Sequence, residues 1–293
     1  MQEARPFVKW AGGKTQLLNN LTELAPSEFN NYYEPFLGGG AFFFKLHSLG
    51  KIKKSFLNDI NQELVNAYKT IKEKPQELIN ELSSGKYANE EKTFYKIREE
   101  NPKSNIERAA RFIYLNKTAF NGLYRVNAQG KFNVPFGKYS NPKIPDAENI
   151  LASSTALQTD EITCLDFEDA VEKAGKNDFV YFDPPYQPIS KTSKFTNYTA
   201  KGFGEGDQAR LFRIFKRLAK KGCFVMLSNS YSEIIKELYG EFNATIVLAS
   251  RAINCKAEGR GKIKELLITN YLPESRQAEV TARNFIKEAI TTH

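Results

Sequence analysis

The sequence predicts an α/β protein, a doubly wound and mostly parallel sheet with a second lobe inserted into it. Three patterns carry this expectation. Short apolar strands alternate with amphipathic helical stretches in both halves of the chain. Two later strands flank a polar, basic loop and read as a hairpin, which adds an antiparallel edge. Between the halves, residues 69–150 are polar, rich in Lys, Glu and Asn, and break the alternation.

In chain order, the pattern gives a helix over 15–24, a strand over 32–34, a helix over 40–49, a strand over 55–58 and a helix over 62–71. The inserted lobe starts helical, including 107–116. It then becomes aromatic and turn-rich over 121–145, punctuated by Gly122, Gly130, Pro135, Gly137, Pro142 and Pro145. The α/β pattern resumes with a strand over 179–182, a helix over 207–220, a strand over 223–227 and a helix over 232–239. Hairpin strands over 245–248 and 265–271 close it. The core is assigned to 1–68 and 151–272, the lobe to 69–150. The tail, 273–293, carries a short helix over 279–290 with Val280, Ile286 and Ile290 as its apolar positions, and no functional reading.

Composition narrows the function. Hydrophobic residues make up 41% of 293, enough for a sizeable core. A net charge of +8 fits a polyanionic partner such as nucleic acid, or simply a solvated lysine-rich surface. Three cysteines, Cys164, Cys223 and Cys255, are far apart and odd in number, which suits a reducing cytoplasm rather than a disulfide framework. With only His47 and His293, no metal-ligand spacing and no Ser-His-Asp arrangement arises, so no metal is expected. The N-terminus lacks a signal-peptide h-region, and no apolar run approaches the ~20 residues of a membrane span. A soluble cytoplasmic protein is expected.

Strand 32–34 runs into Pro35-Phe36-Leu37-Gly38-Gly39-Gly40 and then a helix. A dinucleotide fingerprint would need glycine at Phe43, and a P-loop ending at Gly13-Lys14-Thr15 would need glycine at Val8. Both fail. A nucleoside held without a pyrophosphate fits better, because glycine is then needed only where the chain passes under the ligand. A plain glycine turn is the alternative. Asp59 ends the next strand, 19 residues after Gly40. A carboxylate there can accept both hydroxyls of a ribose, or cap the following helix.

The stretch Phe179-Val180-Tyr181-Phe182-Asp183-Pro184-Pro185-Tyr186 is the most informative. An apolar strand ends in a carboxylate, and two prolines then fix φ and forbid a continuing helix or ladder. Two acceptors, the Asp183 carboxylate and the Pro184 carbonyl, suit an exocyclic amine such as that of adenine. Engaging both of its hydrogens favours a pyramidal nitrogen and frees its lone pair for in-line attack on a sulfonium methyl. Tyr186 offers a stacking face for a base that has left its duplex. The plain alternative is a strand ending in a turn.

With these residues in place, the chain resembles the Dam-type DNA adenine-N6 methyltransferases, including those paired with restriction enzymes. The likeness spans about residues 6–271. It rests on ordered motifs: Phe7-Val8-Lys9-Trp10-Ala11-Gly12-Gly13-Lys14, Glu34-Pro35-Phe36-Leu37-Gly38-Gly39-Gly40, Asn58-Asp59-Ile60-Asn61, Asn121-Gly122-Leu123-Tyr124-Arg125, Phe132-Asn133-Val134-Pro135-Phe136-Gly137 and Asp183-Pro184-Pro185-Tyr186. The resemblance implies a Rossmann-like S-adenosylmethionine-dependent sheet with an inserted, mostly helical target-recognition lobe carrying a hairpin. It puts Trp10 and Lys14 beside S-adenosyl-L-methionine. Glu34, Phe36, Gly38, Gly40, Asp59 and Ile60 line that site with Asp183, while Asp166 and Phe167 hold the adenine. Asp183, Pro184, Pro185 and Tyr186 are its catalytic residues. Phe120, Asn121, Leu123, Arg125, Pro135 and Tyr139 fall at the DNA, with Lys9 reaching an outer base, and the implied target is GATC.

These assignments are physically reasonable. Arg reads guanine bidentately, and Phe120 or Leu123 could wedge into a vacated stack. Basic residues over 251–264 (Arg251, Lys256, Arg260, Lys262, Lys264) would contact phosphates. The implied partners are double-stranded DNA and a cognate restriction endonuclease acting without a stable complex. The protein would be a monomer or weak dimer, nucleoid-associated when on DNA. Other readings stay open. Trp10 could be core, Lys14 a surface charge and the aromatic run of the lobe a satellite core. A nicotinamide oxidoreductase shares the glycine-plus-acid logic. A non-catalytic DNA-binding module fits the charge but gives 183–186 no purpose. Cytosine-N4 transfer or an RNA substrate would use the same amine chemistry.

Overall fold

The apolar run ending at Glu34 forms strand β1 (Tyr32–Glu34), with every residue buried, as a strand covered on both faces requires. The computed structural model describes residues 2–186, 203–250 and 262–274. On one side β1 pairs in parallel with β2 (Ser55–Asn58), which pairs with β3 (Glu161–Thr163). On the other it pairs in parallel with β4 (Phe179–Phe182), which pairs with β5 (Phe224–Ser230). The hairpin strands β6 (Asn243–Ser250) and β7 (Lys262–Thr269) add the antiparallel edge, giving seven strands in the order β3-β2-β1-β4-β5-β7-β6. Strand order reverses between β1 and β4. A crevice opens at such a switch point, outside the strand carboxyl ends.

Side chains alternate between the two faces. Phe179 and Tyr181 of β4 join an apolar cluster with helix α2 (Ala41–Ser48), whereas Val180 and Phe182 join another with helix α8 (Glu205–Lys220). Helix α1 (Leu18–Leu24) is preceded by a 3-10 turn over Lys14–Leu17, so the helix expected over 15–24 divides in two. Tight turns of this kind are common at helix starts.

The segment expected as a lobe, 69–150, falls within the β2–β3 crossover. That crossover contains α3 (Gln62–Glu73), α4 (Pro75–Leu82), α5 (Glu91–Glu99), α6 (Asn105–Thr118) and α7 (Ala147–Ala156). Phe94, Phe112 and Leu115 belong to the same apolar cluster as Phe42 and Tyr181, so lobe and sheet share one core. Helix α7 runs across residue 150. After α6 the chain makes a narrow hairpin, with bridges Ala119–Phe136 and Val126–Phe132. Ser232 caps α9 (Glu233–Leu238), the last helix among the described residues. No helix among the described residues is long and apolar enough to cross a membrane. The tail helix and most of the basic loop, including Arg251, Lys256 and Arg260, lie outside the described residues.

Candidate active site

A cleft of about 1070 Å³ opens at the β1–β4 switch point, and every residue expected above at the cofactor or in catalysis lines it. Ile60 stands on its rim, 55% exposed. The sequence folds this way because β1 and β4 end together, delivering Glu34-Pro35-Phe36 and Asp183-Pro184 side by side.

The glycine loop follows β1. Gly38 and Gly40 have φ of +51° and +66°, the left-handed region that glycine tolerates. A Cβ on Gly38 would meet Trp10 Cδ1 at 2.6 Å, and one on Gly40 would meet Tyr68 Oη at 2.6 Å. The glycines are therefore demanded by Trp10 and Tyr68 packing over the loop, a reason the local sequence does not reveal. Asp59 fastens the loop. Its Oδ2 accepts the Gly38 N–H at 2.9 Å and its Oδ1 the Asn61 N–H at 2.9 Å. The cap of α3 is Asn61, not Asp59. Burial pushes the Asp59 carboxyl up to about 6, against these two hydrogen bonds.

Asn58, buried beside it, stitches the strand ends together. Its Nδ2 donates to Pro35 O at 3.1 Å and Leu165 O at 3.0 Å, and its Oδ1 accepts from Thr163 Oγ1 and Leu165 N at 2.8 Å each. Beyond it, Phe36 and Phe167 lie 5.2 Å apart. Arg210 of α8 stacks on Phe167 at 4.3 Å and pairs with Asp166 at 2.8 Å.

At the other end of the cleft, Lys14 is almost fully buried. Its Nζ lies 2.7 Å from Asp183 Oδ1, donates to Gly12 O at 2.7 Å and sits 4.6 Å from the centre of the Tyr186 ring. It is no surface charge. Burial pushes Asp183 up to about 6, the Lys14 ammonium pulls it back, and Glu265 adds to the rise. Glu34, also buried, accepts from Tyr32 Oη at 2.8 Å. Burial carries its carboxyl to about 8, with Asp183 adding to the rise, so it is largely neutral at neutral pH.

Of the residues expected at DNA, Phe120, Asn121, Arg125 and Pro135 are exposed on the lobe hairpin, while Leu123 and Tyr139 are half-buried. Arg125 Nε donates to Asn133 Oδ1 at 2.8 Å. Lys9 bridges the two regions. It lines the cleft, and its Nζ lies 4.3 Å from the Tyr139 ring centre. Phe203, Asp207, Arg210 and Glu265 reach the site with no motif signal of their own, since only the fold brings them there.

Crevice, glycine loop and Asp-Pro-Pro-Tyr strand end together define a Rossmann-like methyltransferase. Residues 10–253 match the family described as D12 class N6 adenine-specific DNA methyltransferase, and the chain belongs to that family. It is 46% identical to the type II methyltransferase M1.LlaDCHI of Lactococcus lactis subsp. cremoris, over 91% of this chain and 95% of that one. It is likewise 46% identical to the type II methyltransferase M.MjaIII of Methanocaldococcus jannaschii, over 92% and 100%. A DNA adenine methylase of Vibrio cholerae is 35% identical over 91% and 96%.

Proposed function

We propose that this enzyme transfers a methyl group from S-adenosylmethionine to N6 of an adenine flipped out of duplex DNA, within GATC. The observation that carries the reading is the Lys14–Asp183–Tyr186 cluster at the crevice. The same cleft holds an acid whose acceptor capacity is only half used. A carboxylate has about four lone-pair sites, and Asp59 commits one on each oxygen, leaving two that can take ribose hydroxyls. The Phe36–Phe167 pair and Asp166 suit the face and amine of an adenine ring. The cleft residues thus fit a nucleoside sulfonium. When bound, S-adenosylmethionine supplies the electrophilic methyl.

The chain's own groups do the rest. Lys14 keeps the Asp183 carboxylate ionised despite burial. Asp183 and the Pro184 carbonyl accept the two amine hydrogens of the target base. Pro185 holds the turn rigid, and Tyr186 stacks on the base. Lobe 69–150 reads the site through Phe120, Asn121, Leu123, Arg125, Pro135 and Tyr139, assisted by Lys9. Relatives named type II methyltransferases favour protection against a cognate restriction endonuclease, and a DNA substrate places the enzyme in the cytoplasm.

Asp183→Ala should keep a thermal shift with S-adenosylhomocysteine yet lose methyl transfer by roughly a hundredfold or more in a tritiated-methyl assay. Retained transfer sinks the mechanism. Methylation-aware sequencing of DNA from cells expressing the chain reads base and site at once. Methyl groups on cytosine, or on adenine outside GATC, would overturn that part of the reading.

A further inference from the structure

The antiparallel hairpin has a consequence for the active site. Because β7 runs against β5, its first residues lie at the carboxyl rim, where the parallel strands β4 and β5 end. Glu265 pairs with Ser230, the last residue of β5, and with Val247 of β6. It is 7% exposed, an unusual setting for a carboxylate. Its Oε2 accepts the hydroxyl of Tyr186 at 2.6 Å, a contact between residues 79 positions apart. Lys14 Nζ lies 4.6 Å from the centre of the same ring. The tyrosine is therefore fastened at its hydroxyl by an acid on one strand and at its face by the cation that also pairs with Asp183.

We propose that Glu265 is a positioning residue for methyl transfer, which anchors the far end of Tyr186 through its hydroxyl while Lys14 sets the ring face, so that the ring presents a preset stacking face beside Asp183. This rests on the reading that Tyr186 stacks on the target adenine. The physical reason is geometric. A tyrosine on a two-proline turn can swing about its χ1 and χ2 torsions, and reaction rates are sensitive to misplacement of about 1 Å. A hydrogen bond to a buried acid removes the χ1 swing, the Lys14 ammonium over one face limits χ2, and the rest of the apolar ring is left for the base.

The test uses the full-length enzyme with S-adenosylmethionine and a duplex substrate, and compares Glu265→Ala, Glu265→Gln, Tyr186→Phe, Tyr186→Ala and the Tyr186→Phe/Glu265→Ala double variant. Glu265→Ala and Tyr186→Phe should each slow single-turnover transfer by roughly tenfold to a hundredfold. The KM for S-adenosylmethionine should stay unchanged. The double variant should be no slower than the worse single one, because both remove the same bond. Glu265→Gln keeps an acceptor and should recover most of the rate. Its acidic limb should move to lower pH, since the Glu265 charge pushes the Asp183 carboxyl up. Should Glu265→Ala fail to fold, the glutamine and phenylalanine variants decide alone. Wild-type rates in Tyr186→Phe, or effects that multiply in the double variant, overturn the role of Glu265. Undiminished transfer by Tyr186→Ala overturns the stacking reading instead.

Discussion

At the scale of single residues, Lys14 does the most with the least exposure. A buried ammonium is costly unless paired, and here it is paired with Asp183 at 2.7 Å. Removing it should leave burial unopposed. The Asp183 carboxyl, already near 6, should then rise further. An opposite charge this close is worth about one to three pH units. Lys14→Met should therefore move the acidic limb of kcat/KM up by about one unit or more and lower the plateau. A limb that does not move would mean that Asp183 is not the group titrating. Arg125 is the counterpart for the base reading proposed above. It is exposed and oriented by Asn133. Arg125→Ala should narrow the rate difference between the preferred duplex and one with a single substituted base pair by ~1–3 kcal/mol, and rates on a panel of substituted duplexes measure this. An unchanged panel would remove Arg125 from base reading.

At the scale of elements, Asn116 on α6 joins the Lys9 segment beside the cleft to the lobe. It is fully buried. Its side chain accepts from Lys9 N at 2.8 Å and donates to Lys9 O at 2.7 Å and Gly122 O at 3.1 Å. The adjoining Trp10 stacks on Tyr124 with ring centroids 5.8 Å apart. Asn116→Ala would orphan three backbone groups and should cost about 2–3 kcal/mol, seen as a lowered midpoint in denaturant. DNA affinity should fall more than cofactor affinity, because the Gly122 loop belongs to the lobe. The converse order would place the tie elsewhere. Strand β4 was legible to the residue because its apolar run lies between Asp178 and Asp183, and β1 and β2 because each short run stops at the loop that follows it, at Pro35 and at Asp59. Strand β3 was not, since Ile162 is its only buried residue. The hairpin strands extend well past their apolar centres because ladder bonds continue through polar residues such as Lys264 and Asn243. At the site, Asp183 and Asp59 announce themselves by position after a strand. Glu265 and Arg210 do not, since each reaches the cleft from an unremarkable strand or helix through tertiary topology alone.

At the scale of the whole molecule, gathering the carboxyl ends of the strands also gathers acids, Glu34 buried and Asp59 and Asp183 partly buried. Asp59 and Asp183 stand near 6 and Glu34 near 8, each raised chiefly by burial. The sign follows from proton binding. A carboxyl whose folded value lies above its unfolded one holds its proton more tightly in the fold. Its stabilising contribution is complete below the unfolded value, near 4, and is lost as pH rises through the folded value. The ligand-free enzyme should therefore lose stability in two stages, a steep one up to about pH 6 to which Asp59, Asp183 and Glu34 all contribute, and a shallower one on to about pH 8 carried by Glu34 alone. Glu34→Gln keeps an acceptor for the Tyr32 hydroxyl but cannot ionise. It should abolish the second stage, raising Tm by several degrees at about pH 9 and leaving it unchanged at about pH 5. Asp183→Asn should flatten the first stage and spare the second. Calorimetric scans of the three proteins across this range are the check. A Glu34→Gln curve parallel to wild type through pH 8 would mean that Glu34 is already ionised and balanced by another group, and that the crevice is less dry than its lining implies.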